Sequence, residues 1–137
     1  MGCIQSSNPL EKYSLQNTQK FKPDFTECKC VKVYDGDTIH VIGIIGKQAY
    51  IFIVRMYGYD SPEIRSNNQQ EKNAGLEMKK KLEDRILNKI LKIIILPDND
   101  KYGRLLAKIT DDKGEVNSWM LEDKRNKPYF GGTKEGF

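Results

Sequence analysis

The chain contains 137 residues with a net charge of +4, and 38% of its residues are hydrophobic and 31% charged. This composition is typical of a soluble globular domain that buries one core without disulfides. No apolar run approaches the roughly 18 residues of a membrane-spanning helix, and no segment resembles a secretory signal, so we expect an intracellular monomer. The positive charge is compatible with a nucleic-acid partner, but a lysine-rich surface explains it equally well.

Residues 1–26 are polar and lack a hydrophobic period, which predicts a flexible arm ahead of a domain that spans residues 27–137. The arm begins with MGCIQS, which fits the N-myristoylation pattern with Gly2 as the acceptor, and Cys3 is a palmitoylation candidate. Two acyl chains would anchor the protein to a membrane, whereas one chain binds only marginally. The alternative is a chance match, because the pattern is short and glycine is common.

Three segments rich in β-branched and apolar residues, at about 28–34, 38–45 and 49–57, predict consecutive strands. The IGKQ sequence at 45–48 predicts a hairpin turn between the second and third strands. The third strand is apolar and aromatic, which is typical of a buried strand. Residues 58–70 are predicted as a loop because Pro62 interrupts any strand there.

A helix is predicted at about 71–90, where five apolar residues from Ala74 to Ile90 fall four apart and form one stripe. The remaining predicted elements are two strands, a short helix and an irregular tail, at about 91–96, 104–110, 117–122 and from about 123. Three strands, a helix and a return to strands favour an α+β, mainly β fold. We therefore predict a five-stranded OB-type barrel with one long helix and a short C-terminal helix.

The predicted hairpin fixes which residues lie side by side. If the turn is centred between Gly46 and Lys47, antiparallel pairing puts Asp37 opposite Met56 and beside Arg55. A charged residue within an apolar strand is costly unless it has a partner or lies at an exposed edge. Arg55 is therefore expected to pair with an acidic neighbour.

Further acidic residues are expected at the same rim of the barrel. Asp35 lies in the turn before the second strand, and the loop after the third strand carries Asp60, Ser61 and Glu63. Clustered carboxylates repel each other and stay ionised only with a counter-charge, which Arg55 supplies in part and a divalent cation would complete. Oxygen ligands favour a hard ion such as calcium or magnesium. Taken singly, Asp-Gly and DSPE are also ordinary turn and loop sequences.

A zinc site is the weaker alternative. Cys28 and Cys30 lie two residues apart and point to the same side of a strand, but zinc needs further ligands. The only histidine, His40, is predicted to be a strand residue without chemistry.

Three motifs, YDGDTIHV, VRMYGYDSPE and DNDKYGRLLAKI, together with the helix EKNAGLEMKKKLEDRI, resemble the staphylococcal nuclease (thermonuclease) family in order and spacing. The resemblance covers about residues 28–122. It implies an OB-type barrel and a calcium-dependent phosphodiesterase that acts on DNA and RNA, cleaving the P–O5′ bond to leave 3′-phosphates. Magnesium or manganese stays an alternative to calcium.

The resemblance also implies roles for single residues around the ion. Asp37 and Asp60 resemble the carboxylate ligands, and Ser61 stands where the family usually has threonine and would bind through its backbone carbonyl. Asp35 would support these ligands from close by. Glu63 resembles the group that orients or deprotonates the attacking water.

Phosphate contacts follow from the same resemblance. Arg55 and Arg104 resemble the two arginines that grip the phosphate, and Lys101 and Tyr102 resemble residues that hold a neighbouring nucleotide phosphate. Tyr129 is a weaker candidate for stacking on a base. The alternatives are a non-catalytic nucleic-acid-binding module and a membrane-tethered interaction module of the same fold.

Overall fold

The polypeptide forms eight strands and two α-helices within the part described by the structure, a computed structural model that covers residues 8–100 and 102–130. In chain order the elements are Glu27–Asp35 (β1), Thr38–Ile45 (β2), Gln48–Met56 (β3), Gly58–Asp60 (β4), Gln69–Ile86 (α1), Ile90–Ile95 (β5), Leu105–Asp111 (β6), Gly114–Glu115 (β7), Val116–Glu122 (α2) and Lys127–Tyr129 (β8). A short 3₁₀ turn, Pro9–Lys12, precedes them.

Five of the strands close into a barrel. They lie in the order β3, β2, β1, β5 and β6, with antiparallel neighbours, and the start of β6 returns to pair in parallel with the end of β3. The parallel contact joins residues 54–56 to residues 105–107 and closes the barrel. The predicted α+β, mainly β architecture with an OB-type barrel is confirmed.

The hairpin of β2 and β3 has the register that the sequence predicts. Ile45 pairs with Gln48 across the turn, and Thr38 pairs with Arg55 at the other end. The amide of Met56 donates to the carbonyl of Asp37 at 2.8 Å. The hairpin therefore delivers Asp37 and Arg55 to the same rim.

The long helix begins and ends earlier than predicted. The side chain of Asn68 caps its start by accepting from the amide of Glu71, and the helix ends at Ile86. Leu87 is already extended, with a ψ of 131°, and Asn88 follows with a positive φ of 64°, so the chain turns away and Ile90 opens β5 instead of continuing the apolar stripe. Three residues of the stripe are fully buried between α1 and the barrel: Met78, Leu82 and Ile86.

Two predictions for irregular regions need correction. Within the predicted loop 58–70, β4 pairs antiparallel with β8, which lies within the predicted irregular tail.

The prediction that β3 is buried is wrong for its first half. Tyr50, Ile51 and Ile53 are exposed, because β6 reaches β3 only from Val54 onward.

No helix within residues 8–100 and 102–130 is long and apolar enough to cross a membrane.

Candidate active site

The turn between β1 and β2 forms the first part of the site. The amide of Asp37 donates to Oδ1 of Asp35 at 3.0 Å, which is the turn that an Asp-Gly-Asp sequence favours. Gly36 is buried, and a Cβ at this position would lie 2.5 Å from the Ser61 hydroxyl and 2.8 Å from Cβ of Met78. Glycine therefore lets the turn pack against both the loop after β4 and helix α1.

Arg55 joins the two buried aspartates of the site. Its Nη1 lies 3.0 Å from Oδ2 of Asp37, and its Nη2 lies 2.9 Å from Oδ1 of Asp60. The three residues are only 6%, 8% and 4% exposed, respectively. The contact with Asp60 is a charge-assisted hydrogen bond and that with Asp37 is an ion pair, while Nη1 also donates to the backbone carbonyl of Asp37 at 3.4 Å. The buried charges are therefore partnered, as the sequence predicts.

Negative charge exceeds positive charge around this guanidinium. Burial opposes the ionisation of Asp37, but the charge of Arg55 and hydrogen bonds that include the Ser61 amide outweigh it and lower the pKa of that carboxyl. Burial, and after it the neighbouring charge of Asp37, raises the pKa of Asp35 to about 7. Arg55 also favours the ionised form of Asp35, but there burial and the charge of Asp37 outweigh it.

Ser61, in the loop after β4, is held through both its backbone amide and its side-chain hydroxyl. The Ser61 amide donates to Oδ2 of Asp37 at 2.9 Å, and its hydroxyl donates to Oδ1 of Asn126 at 2.7 Å. Asn126 in turn donates through Nδ2 to the carbonyl of Met120 at the end of α2. The C-terminal segment therefore holds the loop that carries Asp60 and Ser61.

Glu63 lies farther along the same loop, is exposed, and lines the cleft. Its amide donates to Oε2 of Glu71 at 3.2 Å, and the Ser66 hydroxyl donates to Oε1 of Glu71 at 2.8 Å. A Cβ on Gly75 would lie 2.7 Å from the carbonyl oxygen of Pro62, so α1 approaches this loop as closely as glycine permits. The first turns of α1 therefore set the position of the loop that carries Glu63.

Arg104 connects to Asp37 through one hydroxyl group. Its Nη1 donates to Oγ1 of Thr38 at 3.1 Å, and that hydroxyl donates to Oδ1 of Asp37 at 3.2 Å. Asp100 holds Arg104 on the other side, because its Oδ1 accepts from the Arg104 amide at 2.7 Å and its Oδ2 forms an ion pair with Nε. The two arginines predicted to bind phosphate are thus joined through Thr38 and Asp37, by two hydrogen bonds and the ion pair between Asp37 and Arg55.

These groups open onto one cleft of about 1090 Å³. Six predicted site residues line it: Asp35, Asp37, Arg55, Asp60, Glu63 and Arg104. Tyr102 and Tyr129 also line it, and the guanidinium carbons of Arg104 and Arg55 lie 5.5 and 5.6 Å from their respective ring centroids. Ser61 is buried behind the lining. Lys101, Gly2 and Cys3 lie outside the described residues.

Sequence reasoning missed four residues that hold the site together: Thr38, Glu71, Asp100 and Asn126. Two of them carry a local signal. Glu71 follows Asn68 at the helix start, where capping predicts hydrogen bonds to the preceding loop. Oδ1 of Asp100 accepts from the amides of Tyr102 and Arg104, a local side-chain contact that aspartate favours near a turn. The other contacts join residues far apart in sequence.

The residues present fit a hard cation. Asp37, Asp60 and the Ser61 carbonyl offer only oxygen donors, and the excess of negative charge favours a positive ion beside them. Among the described residues no three His, Cys, Asp or Glu side chains are arranged as a metal-binding group by themselves. Calcium accepts carbonyl and water oxygens in addition to carboxylates, so two carboxylates are compatible with a site that water completes.

The cysteines do not resemble a zinc site. Cys28 and Cys30 are buried in the barrel as free thiols. Burial, followed by nearby negative charge, raises the pKa of Cys28 to about 12, and burial raises that of Cys30 to about 11. Zinc binds the thiolate form, which these pKa values disfavour at neutral pH.

A family model described as staphylococcal nuclease homologue matches residues 53–124, which is more than half of the chain. The matched range includes Arg55, Asp60, Glu63 and Arg104 and begins after the turn that carries Asp37. No curated protein matches the chain.

Proposed function

Because the chain belongs to the staphylococcal nuclease family, whose fold it has and whose membership implies nuclease activity, we propose that it is a calcium-dependent nuclease. It hydrolyses phosphodiester bonds of DNA or RNA by cleaving P–O5′ and leaves 3′-phosphate ends. One observation carries the proposal: a buried arginine joins two buried aspartates beside a cleft that Glu63 and Arg104 also line.

The first requirement of the reaction is to bind an anionic phosphodiester. Arg55 and Arg104 are the proposed phosphate contacts, because a guanidinium fork matches two phosphate oxygens and its hydrogen bonds strengthen as charge gathers in the transition state. Thr38 and Asp100 orient Arg104 for this task. Tyr102 and Lys101 would contact a neighbouring phosphate of the same strand.

The second requirement is a nucleophile strong enough to attack an anion. Asp37, Asp60 and the backbone carbonyl of Ser61 would hold the calcium ion, with Asp35 close to Asp37. A bound divalent ion supplies charge neutralisation and a lower pKa for water. Glu63 is the proposed general base, and its exposed position on the cleft wall gives it access to water.

Cleavage of single-stranded DNA by the purified chain tests this function. It is measured with calcium, with magnesium, with manganese and with a chelator, for the wild type and for Glu63→Gln. We expect calcium-dependent cleavage that falls by about 10²–10⁴-fold in Glu63→Gln, the range that general base catalysis contributes. Glu122→Gln, an exposed charge change on α2, is the matched control and should cleave like the wild type.

Two outcomes would contradict the proposal. Cleavage that persists undiminished in chelator would refute the role of a metal ion. A folded protein that binds DNA without turnover in any metal would instead support the non-catalytic binding module.

We also propose that the N-terminus carries acyl chains when Met1 is the initiator residue, with myristate on Gly2 and palmitate on Cys3. The support is the sequence pattern MGCIQS alone. Intact mass of protein made in a eukaryotic host, with Gly2→Ala as the control, tests it. An unmodified Gly2 in the wild-type protein would contradict the proposal.

A further inference from the structure

A cluster of aromatic and basic side chains lies on the outer face of β1 and β2, beside the cleft. Lys32 in β1 pairs with His40 in β2, so the two side chains share one face of the sheet. Tyr34 follows Lys32 by two residues, and the Lys32 ammonium lies over its ring, so both side chains lie on this face. Arg65, from the loop after β4, completes the cluster by contacting Tyr34. We name these four residues the aromatic platform.

The platform is organised around the ring of Tyr34. The rings of Tyr34 and His40 are nearly parallel, at 7°, with centroids 6.5 Å apart. The ammonium of Lys32 lies 5.9 Å from the Tyr34 centroid and the guanidinium carbon of Arg65 lies 6.0 Å from it. Nη2 of Arg65 donates to the Tyr34 hydroxyl at 2.8 Å. Two cations and a hydrogen bond therefore hold an aromatic ring that is still 42% exposed.

The platform is continuous with the candidate active site. Tyr34 directly precedes Asp35, and Arg65 follows Glu63 by two residues. Both Tyr34 and Arg65 line the same cleft as Asp35 and Glu63. A polymer bound at the arginines of the cleft would therefore pass close to the platform.

Resting on the proposed function, we propose that the aromatic platform is a stacking subsite for an unpaired base next to the scissile phosphate. Exposed aromatic rings combined with cations are the features that bind single strands irrespective of sequence. Lys32 and Arg65 provide the positive charge that a phosphate backbone needs, and Tyr34 provides the flat apolar surface.

Stacking on the aromatic platform requires that one face of the base is accessible. In a duplex both faces of each base are covered by neighbouring bases, whereas an unpaired base can stack on a side chain. Burial, and after it the charge of Lys32, lowers the pKa of His40, which favours the neutral ring and so an aromatic surface without charge. If the contacts between Tyr34 and the two cations only stabilise the protein surface, the affinity for an oligonucleotide should not depend on its bases.

Fluorescence anisotropy with two labelled oligomers separates these possibilities without requiring turnover. The probes are decathymidylate and a ten-unit abasic deoxyribose phosphate of the same charge, with calcium present and with Glu63→Gln as the background. We expect the background protein to bind decathymidylate about tenfold more tightly than the abasic oligomer. Tyr34→Ala should reduce this preference to within twofold, whereas Arg65→Ala should weaken both oligomers alike.

Three further variants control for folding and for general surface effects. Tyr34→Phe keeps the ring and should retain the preference for bases. Tyr50→Ala removes another exposed tyrosine, and Lys29→Ala another exposed lysine of β1, and neither residue lines the cleft. Both should bind like the background. A preference that survives in Tyr34→Ala, or no preference for bases at the outset, would overturn the proposal.

The result is distinguishable from a failure of the nuclease proposal. If the wild type cleaves no substrate with any divalent ion, the nuclease proposal fails while the anisotropy comparison still decides the stacking subsite. If the wild type cleaves decathymidylate and Tyr34→Ala has an unchanged KM, the nuclease stands and the subsite is refuted. A raised KM with an unchanged kcat supports the subsite.

Discussion

The molecule contains two arginine–aspartate systems that differ in charge balance. At the cleft, Arg55 faces Asp37 and Asp60. Between α1 and β6, Arg85 meets Asp111 alone, through Nε and Nη2 at 2.7 Å to each carboxylate oxygen. The balanced pair needs no further ion, whereas the cleft retains an excess of negative charge.

The two arginines also differ in what surrounds them: Arg85 is enclosed by other parts of the fold, and Arg55 lies beside open space. Arg85 also donates to the carbonyl of Gly114 at 3.2 Å, and its guanidinium carbon lies 4.6 Å from the centroid of Trp119. These contacts tie the long helix to the sheet. Arg55 instead borders a cleft. The comparison indicates that one system stabilises the fold and that the other is arranged for binding.

The largest expected effect comes from the same conservative substitution in both systems. Arg55→Lys keeps a positive charge but loses the fork that reaches both Asp37 and Asp60, so kcat should fall by about 10²–10³-fold, as when one transition-state donor is removed. Arg85→Lys should leave kcat within twofold of the wild type. Steady-state cleavage of single-stranded DNA measures both. An equal loss in the two variants would remove the distinction.

The next effect concerns stability. Arg85→Gln leaves the Asp111 carboxylate, whose side chain is only 7% exposed, without its charged partner. We expect the free energy of unfolding to fall by about 3 kcal/mol, because breaking a buried pair leaves an uncompensated charge. Lys80→Gln, which breaks the exposed pair with Asp84, should change it by less than about 0.5 kcal/mol. Urea unfolding gives both values, and similar losses would count against a special role for Arg85.

The smallest effect is the acid dependence of that stability. Hydrogen bonds from Arg85 lower the pKa of Asp111 to about 2, from 3.8 for an ordinary aspartate. A lowered pKa in the folded state gives stabilisation that is complete above about pH 4 and is lost as pH falls towards 2. We expect the wild type to lose about 1–2 kcal/mol more than Arg85→Gln over this interval.

Urea unfolding at pH 5, 4, 3 and 2 measures this difference. Asp123, whose pKa is also lowered by hydrogen bonds from Arg125, is present in both proteins, so its contribution cancels in the comparison. Parallel pH profiles for the wild type and Arg85→Gln would show that the pair between Arg85 and Asp111 does not set the acid response.

Regular pairing made part of this structure predictable from sequence. A short turn at Gly46 and Lys47 determines the register of the whole β2–β3 hairpin, so Asp37 could be placed beside Arg55. The charge of Arg55 within an apolar strand then required a buried acidic partner, and the ion pairs supply it. Local geometry and the cost of burying charge were sufficient for this core of the site.

Long-range contacts limited the rest. The four-residue spacing of apolar residues continues by coincidence to Ile90 in β5, although the helix ends at Ile86 and the chain turns at Leu87 and Asn88. The exposure of Ile51 depends on how far β6 extends along β3, which no local pattern encodes. The contact between Tyr34 and Arg65 likewise depends on the path of a loop.

Calcium titration by isothermal calorimetry shows whether the carboxylates around Arg55 hold a divalent ion. We expect one ion per chain for the wild type and for Asp111→Asn, and none for Asp37→Asn. Calcium at about 100 times its Kd should also raise the free energy of unfolding of the wild type by about 2.7 kcal/mol. Equal calcium binding by Asp37→Asn, or cleavage without any calcium binding, would show that these carboxylates do not hold the ion.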